Sequence, residues 1–192
     1  MQYFILNNLI YDTNLLKQNI KNIQNWEYYG SGRTRLGVVL SDKDTIKHIA
    51  SKFNKPKDII YKIESNCIHP YERVLPHTDH DRRVTCNIPV SGDFDNSFVK
   101  FYANNTTGSA IPVAPSTTKP NTAKRYDNAE MLGKVSYTKP ICFDTQNIHG
   151  VDNLTKEIRY IITISFRLDL SYENILNMYN NGDLLKWFKD MK

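Results

Sequence analysis

From Ile59 to Leu168 apolar residues recur at every second position in short runs, and the runs are broken by Pro, Gly, Asn and Asp. This alternation restricts the fold more than any other feature, because a period of two is the signature of half-buried strands. Strands are expected near 59–66, 73–79, 83–90, 97–103, 134–138, 140–144 and 158–168. Many short strands at such spacing fit a sandwich or a jelly roll.

Helical periodicity flanks this region. Leu15, Leu16, Ile20 and Ile23 form one apolar stripe, and Ile46, Ile49, Ala50 and Phe53 form another, with Ser41 or Asp42 as the cap of the second helix and a stop before Pro56. Residues 1–58 therefore read as a helical support, 59–170 as the β core, and 172–191 as a closing helix with a break near Asn181-Gly182. With 192 residues and 40% hydrophobic content, the chain is expected to be one domain, mainly β with flanking helices. The alternation fails between Asn104 and Gly133, a stretch long enough to be either a lid over a site or a surface insertion.

Three residues suggest a metal centre. His77 and Asp79 stand two apart in an extended run, so both side chains leave the same face of a strand. His149, in Asn147-Ile148-His149-Gly150-Val151, is the candidate third ligand. Two imidazoles and one carboxylate on one face of an octahedral ion leave positions open, the arrangement that non-haem Fe(II) oxygenases use. A strand beginning at Arg159 follows, with Arg159, Ile161, Thr163 and Ser165 on one face and Tyr160, Ile162, Ile164 and Phe166 on the other. A guanidinium at a cavity rim grips a carboxylate through two parallel hydrogen bonds, and Thr163 can add a hydroxyl. The alternative for Arg159 is an ion pair with Glu157 or Asp152, and Arg167, on the same face, is a second candidate clamp.

The His-x-Asp pair, the distant His-Gly-Val and an Arg ten residues beyond it resemble the Fe(II)/2-oxoglutarate-dependent dioxygenase family. The run Arg82-Arg83-Val84-Thr85-Cys86 and the strand Arg159-Tyr160-Ile161-Ile162-Thr163-Ile164 are similar to its prolyl-hydroxylase-like branch, and the likeness covers roughly residues 59 to 168. The resemblance implies a double-stranded β-helix (jelly roll, cupin-like). It also implies that His77, Asp79 and His149 hold Fe(II) and that Arg159, with Thr163, holds 2-oxoglutarate. Tyrosines from strands before the first ligand often reach 2-oxoglutarate in this family, and Tyr61 and Tyr71 are the candidates here. The reaction implied consumes O2 and releases succinate and CO2 while hydroxylating an unactivated C–H bond, with ascorbate as a supporting reductant. Arg82 and Arg83, which follow Asp79 closely, and Arg167 are candidates for contact with substrate.

Charge and cysteine usage bear on the partner and the compartment. The chain carries 25 Lys and Arg against 20 Asp and Glu, a net +5 with a pI of about 9.0. The surplus is dispersed rather than gathered in a stripe, so a small-molecule, peptide or protein substrate is favoured. A nucleic-acid base is the second reading, and a catalytically inactive jelly-roll metal-binding module is the third. Three cysteines, Cys67, Cys86 and Cys142, an odd number with no CxxC pair, fit a reducing, cytoplasmic setting. No apolar run reaches the roughly 20 residues that a membrane-spanning helix needs.

Overall fold

A computed structural model of the chain describes residues 2–29, 36–79, 81–104, 111–112, 124–126 and 128–186. In chain order the elements are β1 (Tyr3–Ile5), α1 (Thr13–Lys21), β2 (Glu27–Tyr29), β3 (Leu36–Leu40), α2 (Lys43–Ala50), α3 (Pro56–Ile59), β4 (Ile60–Ile68), β5 (Arg73–Thr78), β6 (Val84–Ser91) and β7 (Ser97–Tyr102). They continue with β8 (Ile111–Pro112), β9 (Lys124–Arg125), β10 (Met131–Ser136), β11 (Ile141–Asp144), β12 (His149–Asn153), β13 (Arg159–Phe166) and α4 (Tyr172–Asn180).

The strands form two antiparallel sheets of a jelly roll. The larger has the order β1-β11-β6-β13-β4-β3-β2 and the smaller β10-β7-β12-β5-β9-β8. Alternation along β13 assigns its two faces as the sequence reading anticipated. Ile162, Ile164 and Phe166 belong to a core that also contains Leu16, Ile20, Ile49, Phe53 and Ile175 from the helices. Each such fully buried side chain contributes on the order of 1.5–3 kcal/mol. A second core, of Ile68, Val99, Phe101, Tyr137, Ile141, Phe143 and Val151, fills the space between the sheets. The site lies beside this second cluster.

The helices begin where their caps permit. Asp12 accepts from the backbone N–H groups of Asn14 and Leu15, and Asp42 does the same for Asp44 and Thr45. Asp42, not Ser41, is therefore the cap of α2. Ser171 caps α4 in a reciprocal arrangement with Asn174.

Three expectations are corrected. Residues 1–58 are not a purely helical support, because β1, β2 and β3 extend the larger sheet at both of its ends. Their short, irregular runs acquire strand conformation only by pairing, β1 with β11 and β3 with β4. The closing helix expected over 172–191 ends at Asn180, at the anticipated break: Gly182 with φ of +80° turns the chain so that Leu185 can pair with Phe53, and 187–191 lie outside the described residues. The strand expected at 134–138 occupies 131–136 instead. Most of the 104–133 stretch, including any lid within it, lies outside the described residues. What is described shows Arg125 of β9 beside His77 of β5 and Lys124 beside Thr78. Among the described residues no helix is long and apolar enough to cross a membrane.

Candidate metal centre

Strand pairing brings the two distant motifs together. His77 lies opposite His149 where β5 pairs with β12, and their ring centroids are 4.3 Å apart. Asp79 follows the end of β5, and its backbone N–H donates to the carbonyl of Thr145 at 3.0 Å. The segment before His149 is tied to the turn after Asp79 by two side chains. Thr145 donates to the carbonyl of Arg82 at 2.8 Å, and Gln146 donates to the carbonyls of Asp79 and Arg82 at 2.9 and 3.0 Å. Gly150 is required at its position: a Cβ there would lie 2.9 Å from the Val74 carbonyl oxygen, and the β5–β12 register shifts at this point.

The imidazoles are held in one tautomer by the main chain. Nδ1 of His77 lies 2.7 Å from the Leu75 carbonyl and Nδ1 of His149 lies 3.0 Å from the Asn147 carbonyl. A carbonyl only accepts, so each Nδ1 carries a hydrogen, and the neutral form of each ring turns an Nε2 lone pair inward. Those two atoms face Oδ1 of Asp79 at 3.4 Å for His77 and 4.0 Å for His149. All three donor atoms lie within 4.8 Å of one another. Neighbouring ligands about 2.1 Å from one ion stand about 3 Å apart, so small side-chain movements would close the set. Three lone-pair donors facing one another are stabilised by a cation or by a shared proton. The donor set therefore fits a divalent ion.

Electrostatics favour the ligating forms. Burial pushes the pKa of His149 down to about 4, the His77 ring adds to the shift, and Asp79 opposes it. Burial would raise the carboxyl of Asp79, but the Arg82 guanidinium beside it holds it well below the usual carboxylate range. At neutral pH the centre presents neutral His149 and ionised Asp79.

Arg159 is 1% exposed. One terminal nitrogen donates to Ser97 Oγ at 3.0 Å, and the guanidinium carbon lies 4.4 Å from the centroid of the Tyr137 ring. Nε is buried without a partner. Neither carboxylate anticipated from sequence pairs with it among the described residues; Asp152 instead pairs with Lys100. A buried cation without a counter-charge costs several kcal/mol. Beside it runs a buried polar chain. Asn66 donates to Thr163 Oγ1 at 2.6 Å, Thr163 donates to Asn87 Oδ1 at 2.9 Å, and Asn87 donates to the Tyr137 hydroxyl at 3.1 Å. A buried guanidinium with a spare N–H, next to a fixed phenol, fits an anionic group such as a carboxylate.

The remaining candidates are placed elsewhere. Tyr61 and Tyr71 are 61% and 65% exposed, so neither reaches the interior. Tyr61 lines a shallow outer groove with Lys57, Ile60 and Arg167, and Tyr71, with φ of +57°, occupies the turn after β4. The tyrosine that does reach Arg159 is Tyr137, which the sequence reading missed along with Asn66, Asn87 and Ser97. Asn87 left a trace, as the lone amide in the largely apolar run of β6, whereas Asn66 stands in a mixed strand beside Glu64 and Ser65. Arg167 is half exposed and paired with Asp169 at 3.1 Å, which removes it as a clamp. Arg83 is exposed. Arg82 is committed to neighbouring carboxylates, among them Asp79 at 3.3 Å.

No protein-family model and no curated protein sequence matches the chain. Solved structures do. A prolyl hydroxylase from Trichoplax adhaerens, in complex with a hypoxia inducible factor oxygen degradation domain peptide fragment, superposes with a TM-score of 0.59 at 15% identity, over 91% of this chain and 86% of that one. The non-heme alpha ketoglutarate dependent carbocyclase SnoK from nogalamycin biosynthesis gives 0.57 at 9% identity, over 85% and 79%. An oxidoreductase of the 2OG-Fe(II) oxygenase family from Burkholderia pseudomallei gives 0.52 at 9% identity, over 84% and 80%. At these identities the likeness is one of fold.

Proposed function

We propose that the chain is a non-haem Fe(II)- and 2-oxoglutarate-dependent oxygenase, a single domain that hydroxylates an unactivated C–H bond of an amino-acid, peptide or other small substrate with release of succinate and CO2. The observation that carries this reading is a pair of complementary features. Three lone-pair donors converge on one point, and a guanidinium that no side-chain carboxylate pairs among the described residues is buried with a spare N–H, both beside the cluster of Phe101, Tyr137 and Phe143. A structural metal site has no use for the second half of that pair, which favours an enzyme over an inactive binding module.

In this reading Nε2 of His77, Oδ1 of Asp79 and Nε2 of His149 would hold the iron. Arg159, with the Tyr137 hydroxyl, would hold the far carboxylate of 2-oxoglutarate. When bound, the iron supplies oxygen activation coupled to oxidative decarboxylation of 2-oxoglutarate. The protein's own part is placement and exclusion of water. The Leu75 and Asn147 carbonyls fix the ligating tautomers, the Asn66–Thr163–Asn87 chain fixes Tyr137, and Phe143, 5.1 Å from the His149 ring centroid, walls the centre with apolar surface. The peptide bound by the Trichoplax enzyme supports a peptide among the candidate substrates. Oxidation of a nucleic-acid base loses its residue-level support, since Arg167 is paired with Asp169 on the outer surface.

Turnover of 2-oxoglutarate to succinate, measured with Fe(II), ascorbate and panels of free amino acids and peptides, tests the reading. The native chain should form succinate, Asp79→Ala should form none, and Arg159→Lys should need roughly tenfold or more additional 2-oxoglutarate, because an ammonium cannot reproduce the two-pronged grip. Undiminished succinate formation by Asp79→Ala would falsify the assignment.

A further inference from the structure

Arg82 lies beside the centre, against the outer oxygen of Asp79. Its side chain is 18% exposed, and each nitrogen of the guanidinium meets an acceptor. Nε lies 2.9 Å from Asp81 Oδ1 and 3.3 Å from Asp79 Oδ2, while one terminal nitrogen lies 3.3 Å from Glu64 Oε2 and 3.2 Å from Ser165 Oγ. Lys62 closes the cluster, at 2.7 Å from Asp81 and 3.1 Å from Glu64. Two cations, Arg82 and Lys62, thus face three carboxylates, Asp79, Asp81 and Glu64. One negative charge is left over, and of the three Asp79 is the carboxylate turned toward the imidazoles.

The two oxygens of Asp79 have different neighbours. Oδ1 faces both imidazoles and Oδ2 faces Arg82. Resting on the metal reading above, we propose that Arg82 is a positioning residue for metal binding, holding Oδ2 of Asp79 so that this carboxylate ligates through Oδ1 alone. A carboxylate released from Arg82 can rotate and bind through both oxygens. It then occupies two of six positions, and the histidines occupy two more. One-oxygen binding keeps three positions open on the ion, and the proposed chemistry fills all three, two with 2-oxoglutarate and one with oxygen. Partners of this kind set ligand orientation, and their loss typically costs 10- to 100-fold in metal affinity.

Mn(II) is the probe. Its free and bound forms are separated by electron paramagnetic resonance, and broadening in 17O-enriched water counts the waters on the bound ion. The native chain should bind Mn(II) with three water ligands, six octahedral positions less three protein ligands. Arg82→Gln should raise the dissociation constant about 10- to 100-fold and reduce the water count to two. Arg82→Lys, which keeps the charge and guards against a variant that fails to fold, should fall between native and Arg82→Gln in affinity. The exposed control Arg167→Gln should match the native chain. A role confined to charge balance would lower thermal stability but leave the water count unchanged, and that result, or native affinity in Arg82→Gln, overturns the proposal while leaving the metal centre intact. Failure of the native chain to bind Mn(II), or equal binding by His149→Ala, overturns the metal reading and this inference with it.

Discussion

At His149 burial decides the protonation state. The unfolded chain carries this imidazole near its ordinary value of about 6.5, whereas in the folded chain burial and the His77 ring push it down to about 4. Between those values the unfolded state binds more protons, so stability falls as the pH drops from about 6.5 toward 4. At 1.36 kcal/mol per unit the loss is on the order of 3 kcal/mol. Denaturant titrations of the metal-free chain should therefore show declining stability across that window, with a shallower decline in His149→Gln. Part of the slope remains in the variant, because burial also lowers the pKa of His48. Equal slopes in the two proteins would contradict the account. Asp79, whose folded value is also depressed, contributes stability that is lost below the carboxylate range, outside this window. The sequence made these three ligand candidates visible through residue type and spacing. It could not make Tyr137 visible, because nothing in Val135-Ser136-Tyr137-Thr138 indicates that the ring ends up against Arg159.

The element that turns two motifs into one centre is β12. It pairs with β5 on one side and β7 on the other, and so carries His149 to His77 and Phe101. Its sequence, His149-Gly150-Val151-Asp152-Asn153, has no alternation of the usual kind, so pairing on both edges rather than local propensity makes it a strand. For the same reason β1, β2 and β3 escaped notice in the first 58 residues, while β4, β6 and β13, with long periodic runs and one apolar face on the helices, were readable. Gly150 is where β12 meets the irregular stretch of β5. Gly150→Ala would drive a methyl group to 2.9 Å from the Val74 carbonyl oxygen, a main-chain atom that cannot swing aside. The variant should lose about 1–3 kcal/mol in stability and bind Mn(II) more weakly than the native chain, because His149 moves with its neighbour. Native stability together with native metal affinity would show that the strands are not locked there.

Across the whole molecule the division of labour follows the two cores. The larger sheet uses its outer face to hold the helices and its inner face to present Arg159, Thr163, Asn66 and Asn87. The smaller sheet presents His77 and His149, and the turn beyond β5 presents Asp79. The jelly roll was readable from strand spacing because the periodic region spans most of the chain; the polar chain from Asn66 to Tyr137 was not, because it joins residues from three strands, whose register only the folded sheet defines, to the turn after β10. Thr145 and Gln146 tie together the segments that carry the candidate ligands, so folding itself brings those side chains to one place. The most direct measurement is an anaerobic titration with Fe(II) followed by 2-oxoglutarate, monitored for the visible charge-transfer absorption of a chelated 2-oxo acid. The account predicts a band in the native chain only when both are present, none in Asp79→Ala, and a band in Arg159→Lys that requires more 2-oxoglutarate. A native chain that develops no band, or a band of full strength in Asp79→Ala, would contradict it.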